Sequence, residues 1–505
     1  MISFIDSILN RITMYRLVLY YLVALIVAAF ILGFFGILPY DPTALAFSTL
    51  LILLTCWATN KIFAHVFEAQ TNVESVYITA LILALIISPV MAADHAGVGF
   101  LIFASVWAMA SKYLFAIGKR HIFNPAAFAV ALTALVLNEP ATWWVGGNMA
   151  LLPVVLIGGL LVVRKIQRFD LVGSFALVAF VTTVFTTTSG DYVTPIVQTL
   201  LHSSFFFLAF VMLTEPLTTP PNRLLRVCYG AFVGFLFAPN VHIGTFYMTP
   251  ELALLIGNVF AYLVSPKGRY MLTLERIEQS AKDVYDFVFI SDRAFSFRPG
   301  QYLEWTLGHR YPDNRGNRRY FTIASSPTEP NVRLGVKFYN PSSTFKRALG
   351  SMRPGRTISV AHLAGGFVLP KNKEKKLVFI AGGIGVTPFR SMIQYLLDMK
   401  ERRPVTVFYA NKTAADVAYK DIFDRAQREL GIKTIYALSA EKTLVPGMMN
   451  GSIDARLIAT EVPDYRERTF YISGPRGMVD AFKATLSGMG VSRFKIKTDF
   501  FPGFV

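Results

Sequence analysis

The sequence predicts an all-α membrane bundle of about ten spans, followed by a β-barrel and an α/β domain. Of its 505 residues, 53% are apolar and only 16% are charged, whereas about a quarter of the residues in an ordinary soluble domain are charged. The charge is also uneven, because residues 1–265 have a net charge of +1 and residues 266–505 have +16. We therefore expect two different halves that meet near residue 265.

The first half contains ten apolar stretches of roughly the length that a membrane-spanning helix needs, which is about 20 residues. Lys and Arg gather at alternate ends of these stretches, and cationic loops stay on the cytoplasmic side. The pattern predicts a multi-pass protein of the cytoplasmic membrane with both termini in the cytoplasm. The predicted spans are residues 16–36, 44–66, 75–92, 98–116, 122–138, 147–163, 171–188, 195–214, 226–238 and 250–265.

The second half has the patterns of two further domains. Short alternating runs, such as residues 270–274 and 285–290, predict barrel strands over residues 266–370. From residue 371 to residue 505, strands alternate with helices, which predicts a parallel sheet. The turn Gly382-Gly383-Ile384-Gly385 follows the first of these strands, and glycines allow a backbone to approach a diphosphate closely. An ordinary strand-to-helix turn would have the same local sequence.

Cysteine and histidine content excludes several kinds of site. Cys56 and Cys228 are the only cysteines, so neither a disulfide scaffold nor a four-cysteine metal site fits, and we expect no metal. Transmembrane haem would need paired axial histidines, and His65, His121 and His202 show no repeated spacing. Polar residues within spans are costly and therefore mark candidate functional sites.

Polar motifs at the cytoplasmic ends of two spans include Asn124, Thr214 and Glu215. Taken one at a time, these residues are explained as helix caps or as residues that face lipid headgroups. In this order, the motifs resemble those of the D protein of the Rnf complex and the B protein of the sodium-translocating NADH:quinone oxidoreductase, over roughly residues 75–265. The resemblance implies a bacterial-type inner membrane and a flavin region near those three residues. The motifs are Phe123-Asn124-Pro125-Ala126, Gly158-Gly159, Phe205-Phe206-Phe207, Thr214-Glu215-Pro216 and Tyr229-Gly230-Ala231.

The sequence departs from that family where its covalent flavin is attached. The expected threonine segment lies between the Asn-Pro-Ala span and the Gly-Gly span, and residues 138–147 contain only Thr142. We therefore expect no covalent flavin. A non-covalent FMN or riboflavin in the membrane domain stays open.

Six motifs follow one another in the second half. They are Pro299-Gly300-Gln301-Tyr302, Arg319-Tyr320-Phe321-Thr322-Ile323-Ala324-Ser325-Ser326-Pro327, Ser342-Ser343-Thr344, Gly365-Gly366-Phe367, Gly382-Gly383-Ile384-Gly385-Val386-Thr387-Pro388 and Ser473-Gly474-Pro475-Arg476-Gly477-Met478. In this order they resemble the motifs of the ferredoxin-NADP reductase superfamily, across residues 267–505. The resemblance implies an FAD-binding barrel followed by an NAD(P)-binding domain.

The resemblance also implies residue roles. Arg319 is expected to pair with the FAD pyrophosphate, and Thr322 to donate toward flavin N5. Thr322, Ser473 and Asp499 are the implied catalytic residues. Phe504 is placed where relatives cover the flavin, although a simple hydrophobic tail fits equally well. The implied cofactor-binding residues are Arg319, Tyr320, Phe321, Thr322, Ser343, Thr344, Gly365 and Gly366 for FAD, and Gly382, Gly383, Gly385, Thr387, Pro388, Gly474, Pro475 and Met478 for NAD(P)H.

Together, the two resemblances imply a membrane-bound NAD(P)H dehydrogenase that passes electrons through FAD to an acceptor at or across the membrane. An extracytoplasmic flavoprotein is one acceptor, and membrane quinone is the alternative. A third interpretation is an electron-input or ion-coupling component of a larger respiratory complex. Asn411, Lys412 and Lys420 slightly favour a 2′-phosphate, but lysines that face solvent are common, so the choice between NADH and NADPH stays open. The bilayer and the nucleotide account for the positive charge, so we expect no nucleic-acid partner.

Overall fold

The computed structural model divides the chain into two compact units, Met1–Gly268 and Arg269–Val505. Among the described residues, the first unit is helical apart from two short hairpins, and the second unit contains two six-stranded sheets. The structure describes residues 5, 9, 12–67, 73–117, 120–188, 190–265, 269–294, 296–309, 313 and 317–499.

Each of the ten predicted spans has a helical counterpart in the first unit. Within the described residues, four helices are long and apolar enough to cross a membrane by length and composition, and a pair bent by 59°, Val193–Leu201 with Phe205–Met212, would make a fifth. The count of ten crossings therefore stays a prediction. The four long helices are Met14–Phe34, Pro42–Val66, His95–Leu114 and Phe169–Thr186, and the shorter ones are Val73–Ile86, Pro125–Leu137, Leu152–Ile166, Arg223–Phe237 and Pro250–Val264.

Local chemistry shortens or breaks the helices that hydropathy alone predicts as full spans. Asn124 caps the helix Pro125–Leu137 by accepting a hydrogen bond from the Ala127 amide at 3.1 Å, and Asn138 ends it in the left-handed conformation. At the break in the bent pair, a Cβ on Gly146 would lie 2.7 Å from Ser204 Cα. The loop around Gly146 therefore packs directly against the break.

Small residues let the helices of the first unit pack closely. A Cβ on Gly230 would lie 2.6 Å from the carbonyl oxygen of Leu171, and one on Gly234 would lie 2.3 Å from that of Phe175. These two glycines are four residues apart, which is the spacing that brings membrane helices together. The helices Arg223–Phe237 and Phe169–Thr186 are joined further by the Arg226–Asp170 ion pair.

The second unit begins with a curled antiparallel sheet. Its core contains Trp305, Phe289 and Phe345, all fully or almost fully buried. In sheet order, the fourth strand along the chain pairs with the third, followed by the sixth, first, second and fifth. The strands are Tyr270–Ala281, Val284–Ser291, Tyr302–Thr306, Arg318–Thr322, Val332–Lys337 and Thr357–Ala364, and the helix Thr344–Gly350 lies between the last two.

A parallel six-stranded sheet follows, with the first strand, Leu377–Gly382, at its centre and buried along its whole length. Since all strands run in the same direction, their carboxyl ends share one edge, where ligands bind in such sheets. The other strands are Val405–Asn411, Lys433–Leu438, Met448–Asn450, Thr469–Ser473 and Ile496–Thr498, and the helices are Thr387–Asp398, Lys420–Leu430, Ala455–Glu461 and Arg476–Gly488.

Candidate functional site

Arg319 lies on the strand Arg318–Thr322, at the edge of the antiparallel sheet. Its side chain is buried, and its guanidinium carbon lies 5.1 Å from the centre of the Phe345 ring. One guanidinium nitrogen donates to the Arg318 carbonyl oxygen at 2.6 Å, and another lies 3.4 Å from Asp313 Oδ1. An anionic phosphate at this place would compete with Asp313 for the guanidinium.

Asp313 also contacts the start of the helix Thr344–Gly350. The Thr344 amide donates to Asp313 Oδ2 at 3.1 Å, and the Asp313 amide donates to the Thr344 hydroxyl at 2.9 Å. Ser343 caps this helix by accepting from the Lys346 amide. The structure thus brings Arg319 and Thr344 to one carboxylate, and Ser343 directly precedes Thr344 in the chain.

The strand Arg318–Thr322 contains the start of the motif from Arg319 to Pro327, which resembles the flavin signature of the reductase family, and we call it the flavin-signature strand. Its side chains divide between its two faces. Phe321 lies on the same face as Arg319, with its ring centre 6.0 Å from that of Phe345. Tyr320 points to the opposite face, where it meets Tyr302 edge to face at 5.6 Å. A Cβ on Gly365 would approach the same Tyr302 ring to 3.1 Å, whereas one on Gly366 would meet nothing within 4 Å.

The glycine turn lies at the carboxyl edge of the parallel sheet. A Cβ on Gly385 would lie 2.5 Å from Gly474 Cα, and one on Gly382 would lie 2.3 Å from Met478 Sδ, so these two loops pack without space for side chains. Gly383 has φ +52° and an open side, where a bound dinucleotide can approach the backbone. Pro388 follows Thr387 in the first turn of the next helix, where its ring is well tolerated.

Pro475 lies at the start of the helix Arg476–Gly488, and Pro475 Cδ lies 3.3 Å from the Cβ position of Gly382. The implied nicotinamide residues therefore converge at one edge. Of the three residues that bear on the choice between NADH and NADPH, the Asn411 side chain is buried, Lys420 pairs with Asp424, and Lys412 is exposed.

The three implied catalytic residues lie together, because Thr322 and Ser473 both contact Asp499. The hydroxyls of Thr322 and Ser473 both donate to Asp499 Oδ2, each at 3.3 Å. Burial raises the pKa of the Asp499 carboxyl to about 7, and the two hydroxyl donors partly oppose that rise. The site therefore holds a carboxyl group that titrates near neutral pH between two hydroxyls. Phe504 lies outside the described residues.

In the first unit, Glu215 is the centre of a polar network. Its carboxylate accepts from Asn124 Nδ2 at 2.9 Å and from Thr218 at 3.3 Å, and it lies 3.3 Å from His121 Nε2. Thr214 does not join the network, because its hydroxyl donates to the Phe210 carbonyl oxygen of its own helix at 2.8 Å. Two of the three residues expected at a membrane flavin region are therefore in contact.

Sequence reasoning missed one member of this network, Asn258, and gave no separate role to another, Tyr229. Asn258 is fully buried, accepts from the Asn124 amide at 2.8 Å and donates to the Tyr229 hydroxyl at 3.1 Å. The signal for Asn258 was available, because it is a lone amide within the apolar run 250–264. Tyr229 is predicted from the sequence only as part of a family motif.

A second group that sequence reasoning missed joins the antiparallel and parallel sheets. Arg390 is buried and pairs with both carboxylate oxygens of Glu329, with Nη2 2.9 Å from Oε1, and its Nη1 donates to the Ala324 carbonyl oxygen at 3.1 Å. Next to it, the Tyr419 hydroxyl donates to Asp286. These contacts fix the helix that follows the glycine turn against the flavin-signature segment.

We expect Arg390→Ala to destabilise the second unit by about 1.5–3 kcal/mol, because it removes a two-bond ion pair from the half-buried Glu329 carboxylate, which keeps its contacts with Arg333 and the Ser326 amide. The measurement is the midpoint of thermal unfolding, followed by the release of bound flavin. Arg428→Ala is the matched control, since Arg428 is exposed on the helix Lys420–Leu430. Equal midpoints for the two variants would contradict a stabilising role of the ion pair.

Comparisons with known proteins match both units. Residues 144–267 match the family described as "NQR2, RnfD, RnfE family", which confirms the first resemblance over that range. The motif around Asn124 lies outside the matched range, so its flavin role stays a prediction. Residues 379–484 match the family described as "Oxidoreductase NAD-binding domain".

Curated relatives match the second unit. An NADPH oxidoreductase of Mycobacterium tuberculosis is 28% identical over 204 residues, which are 39% of this chain and 51% of the relative. A flavohemoprotein of Pseudomonas putida is 27% identical over 239 residues, which are 46% of this chain and 59% of the relative. The chain thus spans little more than half the length of these relatives.

A similar solved structure is the FAD/NAD-binding domain of nitric oxide dioxygenase from Vibrio cholerae. It is 19% identical, covers 46% of this chain and 98% of its own chain, and has a TM-score of 0.41. The family matches, rather than this likeness, carry the assignment. The chain therefore contains, in one polypeptide, a region that matches the NQR2, RnfD, RnfE family and a region that matches the oxidoreductase NAD-binding domain.

Proposed function

We propose that this protein is a membrane-bound, FAD-dependent NAD(P)H oxidoreductase that passes electrons to an acceptor at or across the cytoplasmic membrane. The observation that carries the proposal is the convergence of Thr322, Ser473 and Asp499 beside the glycine turn, together with the family matches to both units. The three domains that we propose are the spans of residues 1–265, the FAD-binding barrel of residues 266–370 and the NAD(P)-binding domain of residues 371–505.

The described residues fit FAD. Arg319 offers a planar guanidinium for the pyrophosphate, beside the hydroxyls of Ser343 and Thr344. When bound, FAD accepts two electrons as a hydride and can release them one at a time, which the side chains cannot do themselves. The chain's own residues would bind the cofactor, hold the nicotinamide near Gly474 and Met478, and keep a titrating carboxyl next to two hydroxyls.

The second half of the sequence contains no cysteine that could hold an iron–sulfur cluster. Electrons from FAD would therefore pass directly to an acceptor or to a non-covalent FMN or riboflavin in the first unit. We place that flavin region near Asn124 and Glu215, with ten spans and both termini in the cytoplasm. Membrane quinone and an extracytoplasmic flavoprotein are the two acceptors that we propose to test.

Flavin stoichiometry tests the proposal. Detergent-purified protein is treated with NAD(P)H to record flavin bleaching, and its flavins are then released by acid and separated by chromatography. One FAD per chain supports the reductase site, and an additional extractable flavin supports an electron path through the first unit. Protein that binds no FAD, or FAD that NAD(P)H does not bleach, would contradict the proposed activity.

Ion coupling is a second candidate function, which the Glu215 network favours because a carboxylate with several polar neighbours is unusual in an apolar unit. Glu215→Ala removes the acceptor of Asn124 and Thr218. We expect it to destabilise the first unit by about 1–3 kcal/mol and to leave FAD bleaching by NAD(P)H unchanged. The readouts are the monodisperse fraction after heating and the rate of flavin bleaching.

Glu215→Gln is the control, because a glutamine keeps the shape and one acceptor oxygen. If Glu215 has an ion-coupling role, Glu215→Gln should keep the stability of the original protein, but its ion-dependent electron transfer should fall. If the glutamine variant transfers electrons to quinone with the same ion dependence as the original protein, Glu215 has only a structural role.

A further inference from the structure

Within residues 371–505, which have a net charge of +8, the positive charge is concentrated at the amino edge of the parallel sheet. Because every strand runs in the same direction, the segments that precede the strands share this edge. Four of these segments contain eleven Lys and Arg against four Asp and Glu, and we call them the cationic edge. The segments are residues 371–376, 400–404, 464–468 and 493–495.

The four segments form one continuous surface. Lys373 pairs with Glu401 at 2.7 Å, which joins the first segment to the second. Lys376 pairs with Asp464 at 2.9 Å, which joins the first to the third, and Lys495 donates to a carbonyl oxygen of the third segment at 3.0 Å. Most of the cations at this edge are exposed. The exposed ones are Lys371, Lys373, Lys375, Lys400, Arg402, Arg466 and Arg493.

The dinucleotide does not explain this charge, because phosphates bind at the carboxyl edge of such a sheet. The loops at the carboxyl edge are close to neutral, because their three cations, Lys412, Lys442 and Arg476, are balanced by four acidic residues. The nucleotide therefore leaves the charge of the cationic edge unexplained, and an anionic bilayer is the other partner that the sequence leads us to expect.

An exposed aromatic residue identifies the kind of partner. Phe494 lies between Arg493 and Lys495, it is 82% exposed, and the Arg493 guanidinium carbon lies 5.0 Å from its ring centre. An aromatic ring among cations is typical of surfaces that enter the headgroup region of a bilayer, where the ring enters the apolar boundary and the cations meet lipid phosphates.

We propose that the cationic edge binds the surface of an anionic bilayer. This inference depends on the proposed membrane attachment, because the helix Pro250–Val264 ends only six residues before the strand that starts at Tyr270. So short a connection keeps the second unit close to the membrane, and a weak surface attraction then suffices to hold it there. Phe494 inserts into the headgroup layer, and Lys400 and Arg402 contact lipid phosphates.

The test uses full-length protein in lipid nanodiscs with a fluorescent bimane label at one cysteine. Cys56 is buried and Cys228 is exposed, so Cys228→Ser provides a background in which one added cysteine is labelled. Phe494→Cys reports on the cationic edge. Leu444→Cys is the matched control, because Leu444 is 83% exposed and follows the strand Lys433–Leu438 at the opposite edge.

We expect doxyl-labelled lipids to quench the label at position 494 several-fold more than the label at 444 in discs that contain phosphatidylglycerol. Quenching should fall in phosphatidylcholine discs and at about 1 M salt, where the Debye length is about 3 Å. The double variant Lys400→Glu, Arg402→Glu should lose the quenching while NAD(P)H still bleaches FAD at the original rate.

Equal quenching at the two positions, no quenching at 494, or equal quenching in neutral and anionic discs would each overturn the proposal. A chain that stays in solution without detergent would overturn it as well, by removing the membrane attachment. In one further outcome, the label at position 494 is still quenched but NAD(P)H does not bleach FAD in the same discs. This outcome would support the docking surface and contradict the proposed activity, so the two failures are distinguishable.

Discussion

Purified Arg319→Ala protein should contain almost no FAD. The guanidinium of Arg319 is buried beside Phe345, where it is the planar cation that the flavin-signature strand offers to a pyrophosphate. A hydrogen bond to a charged group contributes about 1.5–3 kcal/mol. Losing a two-bond fork should therefore weaken FAD binding at least about a hundredfold. The measurement is the flavin-to-protein ratio after gel filtration.

Two controls separate cofactor loss from unfolding. Arg356→Ala removes an exposed arginine of the same domain and should keep its flavin. Arg319→Lys keeps the charge without the planar fork, so we expect it to bind FAD with intermediate affinity. All three variants should elute from gel filtration at the same volume. If Arg319→Ala keeps a full complement of FAD, the assignment of the flavin-signature strand is wrong.

The parts of the site that the sequence predicts well are local in the chain. The glycine turn Gly382–Gly385 joins a strand to a helix within a few residues, so its geometry follows from the residues themselves. The cap formed by Asn124 is equally local, because donor and acceptor are three residues apart. Short-range chemistry of this kind does not depend on knowing the rest of the fold.

Contacts between distant residues need the fold. The Arg390–Glu329 pair joins positions 61 residues apart, and the Asn124–Asn258 hydrogen bond joins positions 134 residues apart. No local pattern marks either pair, and both were missed. The Thr322–Asp499 contact spans 177 residues, and the family resemblance implied that both residues belong to one site but not that they touch.

Hydropathy and total charge are also incomplete guides. An apolar run shows that a segment suits the hydrocarbon core, but it does not show where the backbone turns, as at Ser204 in the bent pair. Likewise, the net charge of the second half is fixed by composition. The concentration of the charge of residues 371–505 at the amino edge of the parallel sheet became visible only once the parallel direction of the strands was known.

Hydride transfer from NAD(P)H should slow roughly tenfold, by about 1.4 kcal/mol, as the pH rises through about 7, and this break should disappear in Asp499→Asn. Burial raises the pKa of the Asp499 carboxyl to about 7, so the group is a neutral acid below that pH and a carboxylate above it. A hydride brings negative charge to a flavin, which a neighbouring carboxylate opposes and a neutral group does not. The readout is the pH profile of kcat/KM with ferricyanide as acceptor.

The asparagine variant should have a flat profile at the rate of the low-pH enzyme, because its amide is neutral throughout. Asp292→Asn, which changes an exposed carboxyl group, should keep the break. A break near neutral pH that survives in Asp499→Asn would show that another group titrates. Unchanged profiles in both variants would remove Asp499 from the site chemistry.

The hydroxyl groups of Thr322 and Ser473 allow the sign to be tested a second way. Each donates to Asp499 Oδ2 at 3.3 Å and so stabilises the charged form, which lowers the pKa of the carboxyl against the effect of burial. Ser473→Ala removes one donor, and the break should therefore move to higher pH. A shift of the break to lower pH would contradict this sign. It would mean that the Ser473 hydroxyl accepts a hydrogen bond from the protonated Asp499 carboxyl, so that the hydroxyls stabilise the neutral form.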